Sequence, residues 1–129
     1  MLTQGSGKHI LLIDDEVEFA VTLAERLTLR GYVASVAADG EEGLARLEQE
    51  NFDFVLLDMM LPGIRGLDVL QRIRQKQPNL PVILLTGNAA AKDGIQGMKQ
   101  GARGYLIKPV DLQELLELIE GHPTGVPYA

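Results

Sequence analysis

Three aspartates close two apolar runs: Asp14 and Asp15 follow Ile10-Leu11-Leu12-Ile13, and Asp58 follows Phe54-Val55-Leu56-Leu57. Two further runs end on complementary polar groups, Val82-Ile83-Leu84-Leu85 on Thr86 and Tyr105-Leu106-Ile107 on Lys108-Pro109. Carboxylates gathered in one place repel, each pair by about 4 kcal/mol at a separation of roughly 4 Å if the effective dielectric is near 20. Something cationic must offset this. Lys108 supplies one positive charge, but a Mg²⁺ ion suits the set better: one or two carboxylates, a carbonyl and waters can hold it and leave positions for phosphate oxygens. The absence of cysteine excludes disulfides and thiolate chemistry, and the two histidines, His9 and His122, stand too far apart to suggest zinc.

What could bring these groups together is an open parallel sheet. A parallel strand buried on both faces reads as an unbroken apolar run, and ligands of such sheets bind beyond the carboxyl ends of the strands. Between the runs the pattern turns helical. A first strand near Lys8 to Asp14 leads to a helix from about Glu16 to Arg30, with Phe19, Leu23 and Leu27 on one face and Gly31 as its stop. Tyr32 to Ala37 reads as the second strand, Glu41 to Gln49 as a helix carrying Leu44 and Leu47, and Phe52 to Asp58 as the third strand. Pro62-Gly63 marks a turn before a helix over Gly66 to Lys76, and Pro78 and Pro81 bracket the approach to the fourth strand. A fourth helix is expected over Ala89 to Gln100. The fifth has the clearest start, with Asp111 as its cap, Glu114 three residues on, and Leu112, Leu115, Leu116 and Ile119 as its apolar stripe. Five strand-helix units with short connections imply right-handed crossovers and one parallel sheet covered on both faces, a doubly wound α/β domain.

A chain of 129 residues supports one core, and its net charge of -6 argues against nucleic acid as a direct partner. No apolar run approaches the roughly 18 residues of a membrane span, and the N-terminus lacks an apolar signal-peptide core, so a cytoplasmic location is expected. Residues 1–7 and 121–129, with Pro123, Gly125 and Pro127 in the latter, read as flexible ends or the start of a linker around a domain at 8–120.

The order of these residues closely resembles that of the receiver domain of bacterial two-component response regulators: Asp14-Asp15, then Asp58-Met59-Met60-Leu61-Pro62-Gly63, Leu85-Thr86-Gly87 and Lys108-Pro109. The likeness covers about Lys8 to Ile119. It implies a flavodoxin-like sheet of order 2-1-3-4-5. It also implies that Asp58 accepts a phosphoryl group from a histidine kinase or phosphotransfer protein. In that reading Asp15 ligates Mg²⁺ directly, Asp14 mainly through water, and the Met60 carbonyl completes the protein's share. Lys108 would pair with the phosphoryl group and Thr86 would hydrogen-bond it. Phosphoryl transfer needs little from a protein beyond alignment and charge stabilisation, which agrees with this set.

Tyr105 falls at the family's aromatic switch position, which implies a surface of fourth helix, fifth strand and fifth helix that changes on phosphorylation and meets an output domain or protein, or a second copy in a homodimer. Met60 and Asn88 occupy positions that tune loss of the phosphoryl group; Met60 offers no polar group to orient water, so a long-lived phosphorylated form is expected. Such a domain signals and assists its own phosphotransfer rather than turning over a substrate. The alternative is a Mg²⁺-dependent phosphohydrolase with an aspartyl nucleophile, disfavoured because its usual second acid would stand where Met60 does. Each residue also has a plainer reading. Asp14-Asp15-Glu16 can be an acidic helix start, Lys108 a solvated lysine and Tyr105 a half-buried ring. Gly94 and Gly97 weaken the fourth helix by about 1 kcal/mol each relative to alanine. Ile95 and Met98 are then its expected anchors, and alanine at both glycines should stiffen it unless a close contact fills the space.

Overall fold

Strands and helices alternate without exception along the computed structural model, which describes residues 7–87 and 91–121. The elements are β1 (His9–Ile13), α1 (Val17–Leu29), β2 (Val33–Ala37), α2 (Gly40–Gln49), β3 (Phe54–Asp58), α3 (Gly66–Lys76), β4 (Val82–Thr86), α4 (Ala91–Lys99), β5 (Gly104–Ile107) and α5 (Leu112–Glu120). All pairings are parallel, in the order β2-β1-β3-β4-β5. The parallel sheet is as expected from the apolar runs, and its order is the flavodoxin-like one that the family resemblance implied. Asn88 and the outermost residues 1–6 and 122–129 lie outside the described residues.

Burial explains why the central strands are apolar throughout. Every residue of β3 and β4 is buried, whereas the edge strands β2 and β5 alternate or stay partly exposed. Successive side chains serve opposite faces. Leu11, Ile13, Val55, Leu57, Val82 and Leu84 pack with Leu47 of α2 and with Val69, Leu70 and Ile73 of α3. Ile10, Leu12, Leu56, Ile83 and Leu85 pack with Ala20, Leu23 and Leu27 of α1 and with Leu115, Leu116, Leu118 and Ile119 of α5. Each fully buried Leu or Ile contributes about 1.5–3 kcal/mol, so the two apolar layers hold the strands in the register that brings their ends to one edge.

Local chemistry starts and stops the helices. Asp111 accepts from the Glu114 N–H at 3.1 Å, as anticipated for α5. A reciprocal cap at α2 was not anticipated: Asp39 accepts from the Glu42 N–H at 2.8 Å while Glu42 accepts from the Ala38 N–H at 2.9 Å. Gly121, in left-handed conformation, ends α5, and Arg103 donates to the Leu118 and Ile119 carbonyls there, both at 3.1 Å.

One expectation is corrected. Ile95 is not an anchor of α4, since it is 52% exposed; among the residues of α4 whose side chains are described, the buried ones are Gly94 and Gly97, one turn apart, with Met98 partly buried beside them. Among the described residues no helix is long and apolar enough to cross a membrane.

Candidate functional site

Backbone bonds carry the strand ladders past the last apolar residue and so fix the polar ends in register. The Asp14 N–H reaches the Ala37 carbonyl at 3.0 Å, the Met59 N–H the Leu85 carbonyl at 2.8 Å, and the Lys108 N–H the Thr86 carbonyl at 2.7 Å. Asp58 pairs with Leu85, and Thr86 with Ile107, so four neighbouring strand ends present their polar residues at one edge. Asp14, Asp58 and Thr86 are the buried polar residues of the described chain.

Lys108 joins the two buried acids. Its Nζ lies 2.8 Å from Asp14 Oδ2 and 3.6 Å from Asp58 Oδ2, and it also bonds Glu16 Oε1. The lysine side chain is only 11% exposed, which excludes the solvated-lysine reading. Its ammonium also stands 4.5 Å from the centroid of the Phe19 ring. Burial alone would lower the Lys108 pKa, but the bonds to Asp14 and Glu16 and the charges of Asp58 and Asp14 raise it above the ordinary lysine value.

Asp58 shows the opposite balance. Its carboxyl is raised to about 6: burial is the largest cause and the charges of Asp14 and Asp15 add to it, while the Met60 N–H and Lys108 offset part of the rise. The Met60 N–H donates to Asp58 Oδ1 at 3.0 Å, leaving Oδ2 toward Lys108. In a metal-free site the Asp58 carboxylate is thus destabilised by its surroundings, a state that a bound cation would relieve.

Two observations fit a divalent cation. Oxygens of Asp14, Glu16 and Asp58 all lie within 4.8 Å of one another. Asp14 Oδ2 is buried and, although ion-paired with Lys108, receives no hydrogen bond of good geometry. The acidic cluster can therefore hold a hard, oxygen-preferring cation. Asp15 stays outside that set: it is exposed and faces a surface cleft shared with Met60 and Arg65.

Among the residues expected at the site, the structure brings together Asp14, Asp58, Thr86, Lys108 and the backbone of Met60, whose side chain is 64% exposed. Tyr105 pairs with Leu84 two residues before Thr86 and is half-buried with its ring against α4. The sequence reading did not single out Glu16 and Phe19 as contacts of Lys108. The signal for Glu16 was its place directly after the aspartate pair, which read equally well as a helix start; nothing in the sequence marked Phe19 beyond its apolar spacing.

Comparison with known proteins defines the class. A family model for the response regulator receiver domain matches residues 10–120, and the chain belongs to that family. It is 41% identical over 110 residues, or 85% of its length, to the transcriptional regulatory protein TcrA of Mycobacterium tuberculosis, covering 44% of that protein. The chain spans about half the length of the curated relatives it matches. Among solved structures it is similar to the response regulator TrrA of Thermotoga maritima in complex with Mg²⁺ and BeF, with a TM-score of 0.80 and 35% identity over 88% of this chain and 97% of that one. It is also similar to a Burkholderia pseudomallei response regulator bearing a phosphorylated aspartic acid and a calcium ion, with a TM-score of 0.81 and 35% identity over 87% of this chain and 66% of that one. This is a receiver domain, the signalling module of two-component systems. Nothing in these likenesses favours the phosphohydrolase alternative.

Proposed function

We propose that Asp58 accepts a phosphoryl group in a Mg²⁺-dependent transfer from a phosphohistidine of a histidine kinase or phosphotransfer protein. The carrying observation is that Asp58 is a buried carboxylate with Oδ2 facing an enclosed lysine, beside a buried Asp14 carboxylate ion-paired with that same lysine. A carboxylate that its surroundings destabilise is primed to form an acyl phosphate, a mixed carboxylic–phosphoric anhydride, and the ammonium of Lys108 stands ready to pair with the transferred group. Asp14 and Asp15, with Asp58 and the Met60 carbonyl, would hold the Mg²⁺, which supplies charge neutralisation for the phosphate oxygens. The Asp58 carboxylate oxygen bonds to phosphorus as the bond to the donor imidazole breaks.

Thr86 at the end of β4 then hydrogen-bonds the phosphoryl group, and Tyr105 relays that change to the surface of α4, β5 and α5. That surface meets an output domain or protein, or a second copy of the chain. Met60, with no polar side-chain group, and Asn88 set how slowly the phosphoryl group is lost. The bound phosphorylated aspartic acid and Mg²⁺-BeF in the two similar structures support this reading.

Acetyl phosphate or beryllofluoride with Mg²⁺ should modify the wild type and leave Asp58→Asn unmodified, read by intact-mass spectrometry for the former and by ¹⁹F NMR for the latter. Modification of the variant at the wild-type level would move the acceptor to another residue.

A further inference from the structure

Lys108 reaches Asp58 across 3.6 Å, yet its closer partners are the two carboxylates just before α1, Asp14 at 2.8 Å and Glu16, with the Phe19 ring of α1 beside them at 4.5 Å. The Glu16 contact joins residues 92 apart in sequence. Its backbone is well anchored, because the Glu16 N–H donates to Asp14 Oδ1 at 2.8 Å and its carbonyl accepts from the Ala20 N–H at 2.9 Å. The carboxylate itself is 62% exposed. Glu16 is thus held where it can reach Lys108, but by a solvent-facing side chain that can swing away.

We infer that Glu16 is a positioning residue that competes with the phosphoryl group for Lys108. This rests on the reading of Asp58 as phosphoacceptor. In the unmodified protein the ammonium is shared among the Asp14 and Glu16 carboxylates and lies closest to them. A phosphoryl group on Asp58 brings more negative charge to the 3.6 Å side of the same ammonium. Three donors suffice in number for Asp14, Glu16 and the phosphoryl group, but oxygens of Glu16 and Asp58 lie within 4.8 Å of each other, so a phosphoryl group there is repelled by the Glu16 charge and Lys108 pairs with it fully only as that carboxylate withdraws, since the buried Asp14 cannot. Exposure makes Glu16 the partner that yields. An exposed ion pair is weak, so Glu16 retards engagement of Lys108 without preventing it; the expected effect is roughly a two- to five-fold change in affinity for the phosphoryl-like ligand.

The test measures beryllofluoride affinity at saturating Mg²⁺ for the wild type, Glu16→Gln and Glu18→Gln. Glu18 lies in the first turn of the same helix and is exposed, so its variant reports the general effect of removing one nearby negative charge. Competition predicts that Glu16→Gln binds roughly two- to five-fold more tightly than the wild type, that Glu18→Gln gains clearly less, and that the Glu16 gain shrinks as NaCl is raised. A carboxylate acting mainly as a metal ligand behaves differently: Glu16→Gln would then bind Mg²⁺ alone more weakly, with no gain in beryllofluoride affinity once Mg²⁺ is saturating. That result, or equal affinities for the two glutamine variants, overturns the inference while leaving the acceptor role of Asp58 intact. A wild type that binds no beryllofluoride at all overturns both.

Discussion

Helix α5 turns Leu115, Leu116, Leu118 and Ile119 into the core, whereas the part of α4 whose side chains are described buries Gly94 and Gly97 and leaves Ile95 in solvent. Both helices pack against the same edge strand, β5, which carries Tyr105 and leads into Lys108. Large aliphatic side chains let α5 gain stability from burial. Glycines instead let the α4 backbone approach its neighbours: a Cβ at Gly97 would come within 2.0 Å of Leu84 Cδ1, and one at Gly94 within 2.9 Å of the Tyr105 ring. The condition under which alanine would stiffen α4 is therefore not met, because the space is already filled. One helix anchors the sheet while the other lies against the ring proposed to switch, and among its described side chains only Met98 adds large apolar burial that would resist movement.

The largest test of this contrast removes the anchor. Leu115→Ala, at a fully buried position, should cost about 2–5 kcal/mol in denaturant unfolding, while Met98→Ala in α4 should cost less than half as much. Equal losses would erase the distinction between the helices.

The second test separates global from local stability through the Asp58 carboxyl, whose pKa in the folded protein is raised from 3.8 to about 6. Between those values the native state keeps a proton that the unfolded chain has lost, so the metal-free protein loses stability as pH rises from about 4 through about 6. Asp58→Asn removes that loss. It should be more stable than the metal-free wild type by on the order of 2–3 kcal/mol above pH 6.5, and by almost nothing near pH 4. Amide exchange should slow in α5, which opens with the whole fold, far more than in α4, which can open locally. A uniform slowing would show that α4 has no opening of its own.

The smallest effects probe the glycines. Gly97→Ala should destabilise by about 1–2 kcal/mol net, because overpacking against the fully buried Leu84 outweighs the gain in helix propensity. Gly94→Ala meets the face of a half-buried ring on an edge strand that can shift, so its stability should change little while the Tyr105 ring moves; methyl and ring NMR shifts would register this. A stabilised Gly97→Ala, or unmoved Tyr105 resonances in Gly94→Ala, would mean that α4 does not rest on these contacts.

Much of the site was legible in the order of residues, for a local reason. An unbroken apolar run specifies a strand buried on both faces, short helical connections make successive strands parallel, and the residue after each run must then fall on the same edge. Asp14, Asp58, Thr86 and Lys108 were placed by that logic alone, and the family likeness supplied roles for them. Which of three adjacent acids turns toward Lys108 was not legible. It depends on the turn after β1, where Asp14 is tied both to Ala37 of β2 and to the Glu16 backbone, and on a lysine 92 residues away from Glu16. Likewise, the spacing of Ile95 and Met98 suggested an apolar face for α4, but which face turns inward was decided by Leu84 and Tyr105, which leave room there for a backbone and not for a side chain. Sequence pattern determines the end of the sheet at which a group appears, because connectivity and burial period are local; the partner it meets there is set by contacts between distant segments, and only the tertiary structure decides those.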